Sequence, residues 1–355
     1  MDNVKYVGMD VHQHTILVAV LDACGRLVME SIIETQAATI LQFIHGLKGR
    51  LCVTFEEGTY SAWLYDLLSP HAAKVVVCDP RKNALLKVGS KSDRIDARKL
   101  AELLRAGLVS PVYHGDRSMR TLKELARCYL TLTRDTTRTM NRLKALYRSR
   151  GIRCAGRQVY RLRDRGEWLE QLRERGACRR AERLYQQLDF LQVLRQGARR
   201  DLLIESRKHS ATGVLRRIPF LGPIRVALLA AIVETPHRFR TKRQFWAYIG
   251  LALETHISGE YRVIAGQLER SGKTLALRGL NPSHNHDLKN IFKSAATQAS
   301  LRPGPLRELF MAKVAHGIRP ALARLTLARK LAAITLTIWK KGDFYDSERL
   351  KSSAA

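Results

Sequence analysis

The first hundred residues switch repeatedly between alternating and helical hydrophobic spacing. Tyr6–Val11, Thr15–Leu21 and Leu27–Glu34 are short apolar or alternating runs in quick succession, with Asp22-Ala-Cys-Gly25 as a turn before the third. Runs of this kind bounded by turn residues predict strands. Ala37–Leu47 and Ala62–Leu68 carry helical spacing, Leu51–Glu56 and Lys74–Cys78 read as strands, and a helical pattern runs from about Asp93 to Arg105. Three sequential strands followed by helix, strand, helix, strand, helix is the order of a ribonuclease-H-like sheet. The pattern predicts an α/β domain over residues 1–112.

From 113 to 212 the helical period takes over. Leu122, Leu125, Tyr129 and Leu132, then Met140, Leu143 and Leu146, then Leu184, Leu188, Leu191 and Leu194 mark long amphipathic helices, interrupted near Gly151–Gly156. A helical or coiled-coil segment is expected. A compact, mainly α domain is expected over 213–346, and a disordered tail over 347–355. Ile218-Pro-Phe-Leu-Gly-Pro223 followed by Val226–Val233 resembles the hairpin of a helix-hairpin-helix element. There Gly222 would help present backbone N–H groups to a phosphate at a helix N-terminus. Phe220 replaces the usual first glycine, and a purely structural turn is the alternative.

Charge narrows the partners. Lys and Arg total 62 against 32 Asp and Glu, a net of +30, which favours a polyanion and first of all nucleic acid. Residues 117–210 hold 22 Arg and 3 Lys against 10 acids, so half the excess lies in about a quarter of the chain. Arginine is the better phosphate partner, and Arg138, Arg142, Arg148 and Arg153 are candidate contacts. A solvated helical spacer is the bland alternative. The longest apolar run, Val226–Val233, is too short to span a bilayer, and Met1-Asp-Asn-Val-Lys5 lacks a signal-peptide start. Six scattered cysteines with no Cys-x-x-Cys pair read as reduced thiols. A cytoplasmic, nucleoid-associated protein is expected.

Against this positive background four carboxylates stand out. Asp10 interrupts the first apolar strand, Glu56 closes the strand Leu51–Glu56, and Asp93 and Asp96 lie three apart at the head of a helical pattern. Carboxylates at strand centres and ends are costly unless a cation meets them. An Asp pair at i, i+3 shares a helix face, so four hard oxygen ligands could hold one or two Mg²⁺ ions for phosphodiester chemistry. The alternative is that Asp93 caps its helix and Asp96 favours the helix dipole. Glu57 competes with Glu56, and the end of the strand run favours Glu56.

Gly8-Met-Asp10, Phe55-Glu-Glu-Gly-Thr-Tyr60 and Lys91-Ser-Asp-Arg-Ile-Asp-Ala-Arg98, followed by Trp246-Ala-Tyr-Ile-Gly-Leu251 and Ser258-Gly259, together resemble the DEDD transposases of bacterial insertion sequences. These are bridge-RNA-guided recombinases, relatives of the Piv-type DNA invertases. The resemblance implies a RuvC-like N-terminal domain whose metal-binding acids are Asp10, Glu56, Asp93 and Asp96. It implies a C-terminal transposase domain with Ser258 as nucleophile, assisted by Mg²⁺. It further implies donor and target DNA, a structured noncoding guide RNA and a homo-oligomer, dimer or tetramer, as partners. Read alone, the serine in Thr255-His-Ile-Ser-Gly-Glu-Tyr-Arg262 is most simply part of a turn. His256 and Arg262 are nearby candidates for stabilising charge.

The expected function is therefore a site-specific DNA recombinase. Its rivals are a Mg²⁺-dependent Holliday-junction-type nuclease using water, and a basic architectural protein without catalysis. Two near-motifs are set aside. Gly266–Thr274 has one residue too many for a P-loop, and His284-Asn-His286-Asp287 reads as a polar loop.

Overall fold

The computed structural model describes residues 4–83, 93–115, 117–258, 261–264, 267–270 and 275–346. The chain forms two compact units, Met1–Asp116 and Arg117–Ala355. The expected tail, 347–355, lies outside the described residues.

The first unit is built on a mixed sheet of β1 (Val4–Val11), β2 (Thr15–Leu21), β3 (Leu27–Glu34), β4 (Arg50–Glu56) and β5 (Lys74–Cys78), in the order β3-β2-β1-β4-β5. β1, β2 and β3 pair antiparallel, whereas β4 runs parallel to both β1 and β5. The helices are α1 (Ala37–Gly46), α2 (Ser61–Leu68), the single turn α3 (Pro80–Asn83) and α4 (Asp93–Arg105). Side chains alternate across a strand, and the core shows which face is which. Val7 and Met9 of β1, Val53 and Phe55 of β4, and Ile16, Val18 and Val20 of β2 pack with Ile40 and Ile44 of α1 and Leu64 and Leu68 of α2. The intervening residues, Gly8 and Asp10 of β1 and Thr54 and Glu56 of β4, belong to the opposite face.

That opposite face is covered by α4, which contacts β1, β2 and β4 and buries Ala97, Leu100, Ala101 and Leu104. Gly8 makes this possible, since a Cβ there would strike the Ala97 carbonyl oxygen and lie 2.5 Å from the Ala101 amide nitrogen. The direction of α4 also follows. A Cβ added to Gly25, in the turn between β2 and β3, would meet the Arg105 guanidinium at 2.9 Å. Leu21, just before that turn, pairs with Tyr6 near the start of β1. The C-terminus of α4 therefore lies toward the start of β1, and its N-terminus toward the end, where Asp10 is.

In the second unit, α5 (Arg120–Arg148) and α7 (Arg175–Ser206) pack along each other, with the short α6 (Arg165–Glu170) between them in sequence. Tyr147 near the end of α5 meets Tyr185 near the start of α7, hydroxyl to hydroxyl at 3.2 Å. Leu122 and Ala126 at the other end share a core with Leu202. The pair is thus an antiparallel hairpin. Its closed end has a core of its own, with Leu143, Leu146, Tyr147, Cys154 and Val159 among its members. Arg165 donates to both Asp189 carboxylate oxygens at 2.6 Å, holding Asp189 below the usual carboxylate range through that hydrogen bond.

The open end joins α8 (Ser210–Leu215), α9 (Pro223–Val233), α10 (Lys242–Tyr248), α11 (His286–Leu301), α12 (Pro305–Ala315) and α13 (Pro320–Lys341) around one large core. The composition-based boundary near 212 therefore falls inside a single compact unit, because the roots of α5 and α7 are part of its core. The apolar run Val226–Val233 is buried in that core. Among the described residues, no helix is long and apolar enough to cross a membrane.

The second unit is mainly helical, as its spacing predicts, and it also contains strands. Four strands interrupt the mainly α region: β6 (Leu253–Ser258) pairs antiparallel with β9 (Leu275–Leu280), and β7 (Tyr261–Ile264) with β8 (Gln267–Arg270). Ser258 closes a strand rather than occupying a turn.

Candidate metal and nucleic-acid site

β1 and β4 run parallel in register through Gly8 opposite Thr54 and Met9 opposite Phe55. The next step puts Asp10 beside Glu56 at the carboxyl ends of adjacent strands, on the face that α4 covers. Active sites of open α/β sheets gather at such strand ends. Asp96 is in the first turns of α4, immediately before Ala97, which closes on Gly8, and Asp93 is the helix's first residue. The fold thus brings Asp10 and Glu56 together and directs the N-terminus of α4 to the same end of the sheet. Among the described residues, no group of three or more His, Cys, Asp or Glu stands close enough to hold a metal ion. The Asp93 side chain lies outside those residues. As a donor set, carboxylate oxygens fit a hard divalent cation.

The competing glutamate has a different setting. Glu57 follows the strand, its amide donating to the Cys78 carbonyl at 2.9 Å. Its carboxylate lies 2.9 Å from His114 Nε2, and that imidazole stacks on Tyr65. Glu56, by contrast, keeps the strand's alternation and shares its face with Asp10. Two histidines that hydrophobic spacing and motifs did not reveal stand beside these acids. His12 Nε2 is 3.3 Å from the Asp10 carboxylate, whose side chain is 24% exposed. His12 is just past the strand end, and its proximity to the acid at position 10 is the only sequence signal for it. His114 has none, because it meets Glu57 across 57 residues of chain.

The other candidates lie in the second unit. Arg138 and Arg142 are exposed on α5. Arg148 and Arg153 line an open groove at the closed end of the hairpin, with Gly151, Ile152 and Cys154. Gly222 caps the N-terminus of α9. Phe220 takes φ of +66°, the left-handed region where a glycine is the ordinary occupant, and its carbonyl accepts from Arg225 Nη1 at 2.9 Å. The turn keeps its shape without the usual glycine. Ser258 is the last residue of β6, opposite Leu275, and His256 faces Leu277 across the same ribbon. Arg262 stands opposite Glu269 in the backbone register of the other ribbon. The set-aside motifs resolve as strand and helix start. Gln267–Arg270 is β8, and Asp287 in the first turn of α11 pairs with Arg134 at 2.5 Å.

Two family comparisons bear on this arrangement. Residues 7–149 match the IS110-type DEDD transposase model, described as "Transposase". Residues 213–310 match the model described as "Transposase IS116/IS110/IS902 family". An acid-bearing α/β unit followed by a transposase-family unit defines a DNA transposase, an enzyme that recombines DNA strands. The chain thus carries an IS110-type DEDD transposase domain and an IS116/IS110/IS902-family transposase domain, and the two matches together take in more than half of it. No curated protein matches it.

Proposed function

We propose that this transposase is a site-specific recombinase that cuts and rejoins DNA through Ser258, with a carboxylate-held Mg²⁺ assisting. In this reading the N-terminal unit is ribonuclease-H-like, and Asp10, Glu56, Asp93 and Asp96 hold one or two Mg²⁺ ions. The observation that carries it is the shared face and strand end of Asp10 and Glu56, with the N-terminus of α4 directed there. Bound at these carboxylates, Mg²⁺ would supply Lewis-acid stabilisation of charge on the scissile phosphate. The contact of Glu57 with His114 supports Glu56 as the ligand.

The serine step is balanced simply. The Ser258 hydroxyl loses its proton as its oxygen attacks phosphorus, the bond from phosphorus to the leaving sugar oxygen breaks, and that oxygen takes up a proton, giving a phosphoserine link and a free hydroxyl end with no net gain or loss of protons. His256 and Arg262, on strands of the same unit, are proposed to stabilise the charge that develops. Arg138, Arg142 and Arg148 of α5, Arg153 just beyond it, and the N-terminus of α9 at Gly222 hold phosphates without reading sequence. Target choice is assigned to a structured noncoding RNA paired with donor and target DNA, the protein acting as a homo-oligomer in the cytoplasm.

A denaturing gel of wild type with cleaved, labelled DNA should show label shifted by the mass of one protomer. Ser258→Ala should lose both the shifted band and recombination while still binding DNA, because the change removes one oxygen and almost no volume. Wild-type cleavage rates in Ser258→Ala would make water the nucleophile, and the resolvase-like reading would replace this one.

A further inference from the structure

The positive charge is unevenly divided. Residues 1–116 hold 13 Lys and Arg against 13 Asp and Glu, so the entire net charge of +30 belongs to residues 117–355. Affinity from counterion release requires excess cations at the contact, and the second unit has them. Within it, α5 buries Leu122, Ala126, Thr136, Thr139, Leu143, Leu146 and Tyr147. At about 100° per residue, Arg120, Arg127, Arg134, Arg138 and Arg142 fall within about 40° of one line on the opposite side. All five are exposed.

A solvated spacer would alternate signs at i, i+4. Here Arg134, Arg138 and Arg142 follow one another at that spacing, a like-charge ridge that destabilises an isolated helix. Glu124 and Asp135 pair with Arg127 and Arg138, but these are exposed i, i+3 contacts, which are weak and exchangeable. Among the described residues Arg142 has no ion pair.

We propose that this arginine stripe of α5 is a docking surface for the phosphate backbone of duplex DNA. Its length fits: from position 120 to 142 at 1.5 Å per residue is roughly 33 Å, close to one turn of B-form DNA at about 34 Å. DNA is the substrate class of the family. The surface rests on that class and not on the serine or metal chemistry, so binding and cleavage measurements report on the two separately.

The test uses the full chain with Arg120, Arg127, Arg138 and Arg142 all changed to Gln, sparing Arg134 for its pair with Asp287. Affinity for a DNA of arbitrary sequence and about 30 base pairs, about three turns of duplex, is measured against salt, beside an RNA duplex of the same length. The slope of log affinity against log salt should flatten by about three to four, near 0.9 for each phosphate that is no longer neutralised. The same four positions changed to Lys should keep the slope. Changing Arg179, Arg180, Arg183 and Arg199 of α7 to Gln should leave it close to wild type. An unchanged DNA slope in the α5 variant overturns the proposal, and if RNA affinity falls instead, the stripe belongs to RNA. Equal flattening by the α7 set also overturns it, because the charge would then act without a defined surface.

Discussion

Asp10 and Glu56 are the residues on which the proposed chemistry turns, and their geometry is set by strand parity. Even-numbered positions of β1 and β4 face α4, so position 56 falls beside position 10 while position 57 turns away to His114. Asp10→Asn, Asp93→Asn and Asp96→Asn should each abolish strand cleavage and leave folding and DNA binding nearly intact. Each replacement removes ligand charge at nearly constant volume. Cleavage at wild-type rate by all three would remove the carboxylate site. Glu56→Gln should be inactive, and Glu57→Gln should retain cleavage, which a side-by-side nicking assay decides. The positive φ of Phe220 belongs to this scale as well. No hydrophobic pattern announces it, and only the local backbone reveals why a turn without its expected glycine still forms.

The element that assembles the first unit is α4. It carries two of the four acids and reaches the sheet only because Gly8 offers no side chain. Gly8→Ala should therefore destabilise the protein by about 1–3 kcal/mol, the usual range for forcing extra atoms into a packed contact. It should also reduce cleavage more than binding, since the obstruction is backbone and α4 must move as a unit. Chemical denaturation together with cleavage and binding assays checks this, and an unchanged unfolding midpoint would contradict the close approach. The helices and strands of this unit were largely legible beforehand. Thr15–Leu21, Leu27–Glu34, Lys74–Cys78 and Asp93–Arg105 have the bounds that hydrophobic spacing predicts. The β6–β9 and β7–β8 ribbons were not, because among the described residues each strand pairs with one neighbour only, and a two-stranded ribbon specifies its register weakly.

For the whole molecule, the net charge and the candidate metal-binding acids separate. The neutral first unit holds the acids, whereas the second carries the net charge of +30. Removing divalent metal with a chelator should therefore stop cleavage while leaving DNA affinity within about twofold at fixed ionic strength, because arginine–phosphate contacts need no metal. Filter binding and cleavage on the same preparations test the separation. A parallel loss of both would mean that metal also organises the DNA-binding surface.

Hydrophobic period, charge and the spacing of a few acids were enough to determine the α/β character of the first unit, the long basic helices, and the candidate carboxylates. These are local properties, repeated within a turn or a strand, and each can be read from neighbours in the chain. Which glutamate joins Asp10, which way α4 runs, and where the hairpin's roots are buried depended on the tertiary structure. Those outcomes follow from strand register, from one glycine's missing Cβ, and from a core in which Leu122 and Leu202 meet. Contacts between residues tens of positions apart leave no periodic trace in a single sequence, so packing alone decided them.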